Sequence, residues 1–149
     1  MIDYIEQAEK VLEFYVDMQL AVENMDRQIR RLSMSTCPRQ MRAAILDETG
    51  VRGSRNDNTG FLFYNIVELQ ENRELTAQQL KEIDETLEAI SRTDKCQLFG
   101  QVLRMWYIDQ LTKEKIAEKL NYSTERSIYN LRKSAIHRFA VQLFGSVAL

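Results

Sequence analysis

Histidine occurs once in this chain of 149 residues, at His137, proline once, at Pro38, and cysteine twice, at Cys37 and Cys96. A zinc centre of the usual Cys/His kind takes about four such side chains, so none is expected within one chain. The cysteines have no CxxC spacing and are expected to be reduced, structurally minor thiols. A Ser-His-Asp or Cys-His site would have to use His137, which lies among Lys133 and Arg138. Nearby cations depress the basicity of an imidazole, which suits a general base poorly. The phosphate-cradling patterns GxxxxGK[ST] and GxGxxG are both missing. No apolar run approaches the ~20 residues needed to cross a bilayer, so no membrane partner is expected. The opening MIDYIEQAEK is acidic and periodic, without the basic and apolar regions of a signal peptide. The expectation is a cytoplasmic protein that is not an enzyme and carries no cofactor. Carboxylates remain the one donor set from which an Mg²⁺ site could be built.

The residues that are present are ordinary in bulk and uneven in distribution. Hydrophobic residues make up 44% and charged residues 28%, as in a soluble globular protein. The net charge of −2 conceals an acidic stretch of −7 over residues 1–94 and a basic one of +5 over residues 95–149. A basic end on an acidic chain points to a polyanionic partner, or simply to a solvated helix surface.

With no glycine before Gly50, the first segment reads as nearly continuous helix. In heptads, positions a are Met1, Ala8, Tyr15, Val22 and Ile29, and positions d are Tyr4, Val11, Met18, Met25 and Leu32. All are apolar, which predicts a long coiled-coil-like helix that either pairs two chains as a homodimer or folds back on its own domain. Pro38 predicts that this helix stops before Cys37, with a short helix starting at Pro38. The segment Thr49–Gly60 holds three of the five glycines and reads as a flexible loop, flanked and occupied by Arg30, Arg31, Arg39, Arg42, Arg52 and Arg55. The chain is thus expected to divide into residues 1–60, helix plus basic loop, and residues 61–149, a helical bundle. Within the bundle, Phe61, Tyr64, Val67 or Ile66, and Leu69 face a core. Thr76 and Gln79 form a capping-box pair opening a helix with the stripe Leu80, Ile83, Leu87 and Ile90. Asp94 caps a helix that buries Leu98, Val102, Met105, Trp106 and Ile108. No period-2 segment occurs, so the fold class is all-α, with about six helices.

The chain closes on LRMWYIDQLTKEKIAEKLNYSTERSIYNLRKSAIHRF, Leu103 to Phe139. Thr112 reads as the cap of KEKIAEKL, a turn comes next at NYS, and Ser123 or Thr124 caps a second, basic helix reaching about Phe144. Ile116, Ala117 and Leu120 are the buried side of the first helix, and Ile128, Leu131, Ala135 and Phe139 that of the second. Asn121 sits where the chain must leave the first helix, a position that favours left-handed backbone, which Asn tolerates. The stretch, Leu103 to Phe139, resembles the helix-turn-helix of sigma-70 region 4, and the whole motif is expected over residues 103–144. It is most similar to small phage-encoded sigma-like regulators of late genes, the RinA/ArpU type, some of which also place a coiled-coil-like half before the motif. One spacing departs from that pattern: the apolar residue of the second helix is Ile128, eight positions after Leu120 instead of seven, which implies a turn one residue longer.

The resemblance implies a sequence-specific DNA-binding transcriptional regulator of phage or mobile-element late genes, with double-stranded DNA and RNA polymerase as partners. The start of the second helix would enter the major groove. Arg126 would read guanine and Asn130 adenine, while Thr124, Glu125, Ser127, Tyr129 and Lys133 lie within reach of bases or phosphates. Lys113, Lys115, Arg132 and Arg138 are phosphate candidates, which position without specifying. Two alternatives stand beside this: a protein-binding helical module acting on RNA polymerase or another partner, and a DNA-packaging adaptor of the small-terminase kind.

Overall fold

The computed structural model describes the backbone of residues 1–35 and 52–149, and the side chains of residues 1–34 and 65–149. Every regular element among the described residues is helical: α1 (Tyr4–Glu13), α2 (Tyr15–Ser35), α3 (Arg52–Ile90), α4 (Phe99–Leu103), a π-turn (Arg104–Ile108), α5 (Lys113–Leu120), α6 (Glu125–Phe144) and a closing 3₁₀ turn (Gly145–Ala148). The all-α expectation therefore holds. The chain forms two compact units, Met1–Asp17 with Gln79–Leu149, and Met18–Gln78.

The N-terminal heptads do not make one helix. Asp3 caps α1, its carboxylate accepting from the Ile5 and Glu6 N–H groups. The helix closes at Phe14, whose N–H turns back to the Lys10 and Leu12 carbonyls, and α2 starts afresh at Tyr15. Over α1 the buried stripe is Ala8, Leu12 and Tyr15, while Val11, a d position of the heptad reading, is only half-buried. Helix α1 packs onto the chain's own α6, and the Tyr4 ring lies 5.4 Å from Phe144. For this part, the heptad pattern serves a fold-back within the unit.

In the unit Met18–Gln78, the later heptad residues Met18, Val22, Met25, Ile29 and Leu32 are half-buried. Arg73 donates through Nε to Asp26 at 3.0 Å and ties α2 to α3. Helix α3 corrects two expectations. It is already helical from Arg52, through most of the segment expected as a loop, because helix propagation adds one bond per residue and tolerates glycine at about 1 kcal/mol each. It also runs through Thr76, which caps nothing: its hydroxyl donates back to the Asn72 carbonyl at 2.8 Å. Ile66 is buried and Val67 is 38% exposed, which decides between the two. Cys37 and the helix expected from Pro38 lie outside the described residues, as do the side chains of Phe61, Tyr64, Arg39, Arg42, Arg52 and Arg55.

The core of the other unit is Leu12, Leu87, Ile90, Val102, Leu103, Ile116, Ile128 and Phe139, all under 2% exposed. Asp94 is not a cap. The chain makes two turns after Ile90, through Cys96 N–H to the Thr93 carbonyl and Phe99 N–H to the Cys96 carbonyl, and α4 begins only at Phe99. Gly100 is buried against α3: a Cβ there would lie 2.7 Å from the Leu87 carbonyl oxygen, and its N–H donates to Ser91 Oγ at 2.9 Å. Only glycine permits that approach. The helix then takes a π-turn, Asp109 N–H reaching the Arg104 carbonyl five residues back. Leu103, just before this turn, and Tyr107, within it, are buried, while Met105, Trp106 and Ile108 are only half-buried.

Candidate nucleic-acid interface

Helices α5 and α6 are set by three local devices. Thr112 caps α5 by accepting from the Lys115 N–H at 3.4 Å. Asn121 closes it in the left-handed region, φ 60° and ψ 37°, and the Tyr122 N–H bonds the Ala117 carbonyl at 2.9 Å. Thr124 caps α6, accepting from the Ser127 N–H at 3.3 Å. Four residues, Asn121 to Thr124, thus join the two helices. Ile116, Ala117, Ile128, Ala135 and Phe139 are interior, and Leu120 and Leu131 are half-buried. Ile136 and Ala140, not expected in the core, join it.

The opposite face of α6 carries Glu125, Arg126, Tyr129, Asn130 and Lys133, all exposed. Ser127 is half-buried, and its hydroxyl is shared with Thr124 Oγ1 at 2.8 Å, so these two are occupied in capping. Lys113 and Lys115 are exposed at the start of α5.

Around Tyr129 lies a cluster that the sequence does not announce. Its ring has Lys113 Nζ at 5.2 Å, Lys133 Nζ at 5.1 Å and the Arg132 guanidinium carbon at 5.0 Å from its centroid. Trp106, delivered by the π-turn, takes Lys113 at 5.7 Å and Arg132 at 4.7 Å. Two electron-rich ring faces hold three cations together beside the start of α6. The lone tryptophan ahead of a basic helix was the available signal.

Arg132 is turned inward. Its Nη1 donates to Glu9 at 2.7 Å and to the Tyr107 hydroxyl at 2.8 Å, and its side chain is 14% exposed. It is therefore a strut between α6 and α1, not an open phosphate contact. Arg138 is half-buried and donates through Nη2 to Thr93 Oγ1 at 2.8 Å. Of the cations expected to contact DNA, Lys113, Lys115, Arg126 and Lys133 are exposed.

The strut has a protonation signature. Burial, and then its donation to Glu9, push the Tyr107 phenol well above the usual tyrosine range. For Arg132, burial pulls downward, but the bonds to Tyr107 and Glu9 outweigh it and the net shift is upward. A second three-way contact, Tyr15 to Asp84 at 2.7 Å with Arg104 at 3.3 Å, has the same character. There, burial and the bond to Asp84 raise the Tyr15 phenol. A tyrosine whose folded pKa is raised stabilises the fold fully below the unfolded value and loses that contribution as pH rises past about 10. Stability measured by urea melts from pH 9 to 11 should therefore fall. In Tyr107→Phe, the fall should be shallower and the stability at pH 7 lower by about 1–2 kcal/mol.

No protein-family model, no curated protein and no solved structure matches the chain. Among the described residues no helix is long and apolar enough to cross a membrane, and no group of three or more metal-ligating side chains gathers.

Proposed function

We propose that the protein is a sequence-specific DNA-binding transcriptional regulator that lays the start of α6 in the major groove. The observation that carries the reading is the exposed stripe Arg126, Asn130 and Lys133, fixed between the Thr124 cap and the buried row Ile128, Ala135 and Phe139. Long polar side chains on a rigid, capped helix meet base edges at a defined register. Lys113 and Lys115, at the start of the preceding helix, reach the flanking phosphates. Action on late genes of phages or mobile elements, through RNA polymerase, rests on the resemblance to sigma-70 region 4.

Fluorescence anisotropy on duplex DNA from the gene's own neighbourhood, against a scrambled duplex, tests this. Tighter binding to the native duplex, weakening steeply between low and moderate salt, is expected. Arg126→Ala should lose roughly tenfold or more on the native duplex, with an unchanged helical circular dichroism spectrum. Equal affinity of that variant would overturn the docking. A protein-binding role is favoured by one observation: Met1, Ile2, Val147 and Leu149 form an exposed apolar patch. Equal or absent binding to both duplexes would move the function there.

Pairing of two chains along α2 goes with this proposal. Half-burial of Val22 and Met25 leaves apolar surface for a partner helix. The double change Val22→Glu and Met25→Glu should convert a dimer to a monomer in light scattering; a surviving dimer would place the contact elsewhere.

A further inference from the structure

Tyr129 is 38% exposed and stands on α6 one turn before Arg132 and Lys133. Side chains three and four residues apart are neighbours on a helix surface, so both reach the ring. Lys113 comes to the same ring from the start of α5. Three cations therefore gather at one aromatic side chain, each within 5.2 Å of its centroid. They differ in what balances them. Arg132 has Glu9 at 2.7 Å, whereas Lys113 and Lys133 have no carboxylate partner among the described residues. Both lysines are exposed.

Two uncompensated ammonium groups at one ring repel each other, and an anion brought to them relieves that repulsion. A lysine loses rotamer freedom when it makes a contact, and attraction to a ring face restricts it beforehand. Position selects the anion. Lys133 lies two turns beyond Arg126 on the same face of α6, about 10 Å along the axis. The major groove is about 12 Å wide and is walled by phosphates. With Arg126 at base edges, Lys133 falls near the rim of the groove, where the phosphodiesters are.

We propose that Tyr129 is a positioning residue for DNA: its ring holds the ammonium groups of Lys113 and Lys133, one from each helix of the pair, ready for the phosphate backbone at one rim of the groove. The inference rests on the DNA-binding reading above and adds that Lys133 grips the backbone instead of reading a base. Phosphate contacts act alike on every sequence. The ring acts through the two lysines and needs no contact with DNA.

The test is fluorescence anisotropy of the full chain on the native and scrambled duplexes across a salt series. Tyr129→Leu, which keeps every charge, should weaken both duplexes severalfold by the same factor and leave the salt slope unchanged. Tyr129→Phe keeps the ring and should bind like the parent. Lys113→Gln and Lys133→Gln should each lower the slope by about one and act alike on both duplexes. In the double lysine variant, Tyr129→Leu should have no further effect. Unchanged binding in Tyr129→Leu, an equal loss in Tyr129→Phe, a loss in Lys133→Gln confined to the native duplex, or a Tyr129→Leu loss that persists without the two lysines would each overturn the positioning role while DNA binding stands. A parent that binds neither duplex would overturn the DNA-binding reading and this role with it.

Discussion

Phe139→Ala is expected to cost about 3–5 kcal/mol of folding stability, the largest loss of any single truncation among the described residues. Phe139 is fully buried and is the largest of the side chains under 2% exposed. It sits on α6, the helix against which α1, α4 and α5 all pack. Removing its ring leaves a cavity at that junction, and rigid neighbours fill it only in part. A domain of this size has about 5–15 kcal/mol in total, so the variant should melt far below the parent in urea or on heating. A loss under about 1 kcal/mol would mean that α6 is not the hub of its unit.

The second large effect is expected from Arg132→Gln. The change removes the 2.7 Å contact with Glu9 and the 2.8 Å donation to Tyr107, and uncovers the Trp106 and Tyr129 faces. It also leaves Glu9 charged, with only the Tyr107 hydroxyl for company. Stranding one partner of a fully buried pair costs about 3–5 kcal/mol. Glu9 is 32% exposed, so water screens part of this and about 2–3 kcal/mol is the expected figure. Glu9→Gln keeps an acceptor for both donors and should cost less. The double variant should cost less than the sum of the two, since both act on one contact. Additive losses in urea melts would show that the strut contributes only packing.

How much of the fold and the site was legible in the sequence depends on the reach of each interaction. Thr112, Asn121 and Thr124 were readable because caps and left-handed turns are decided within four residues. The stripe Leu80, Ile83, Leu87 and Ile90 was readable because its period lies within one helix, and the structure buries the last three. Thr76 and Asp94 show the limit of the same reasoning. Both have the composition of a cap, yet the helical ladder continues through the first, and turns delay the helix beyond the second. The heptads left two coverings open, a second chain or this one. Apolar spacing does not say which helix will cover the stripe, and over α1 it is this chain's own α6. The Glu9 strut was beyond reach altogether, since its partners lie 98 and 123 residues along the chain. The Tyr129 cluster depends on the π-turn, and no residue in RMWYI marks where a helix takes an extra residue.

That extra residue has a consequence for how the chain tolerates change. One added residue turns a helix by about 100°. The π-turn therefore works as a phase adjuster between α4 and α5: it sets the direction in which the chain enters α5, and with it where Lys113 and Lys115 stand beside α6, without a change to any residue of either helix. A one-residue deletion within Arg104–Ile108 would restore regular winding and re-aim that entry, leaving the Thr112 cap, the Asn121 turn and the α6 stripe intact as local structures. Orientation in this protein is thus stored separately from the surface that it orients.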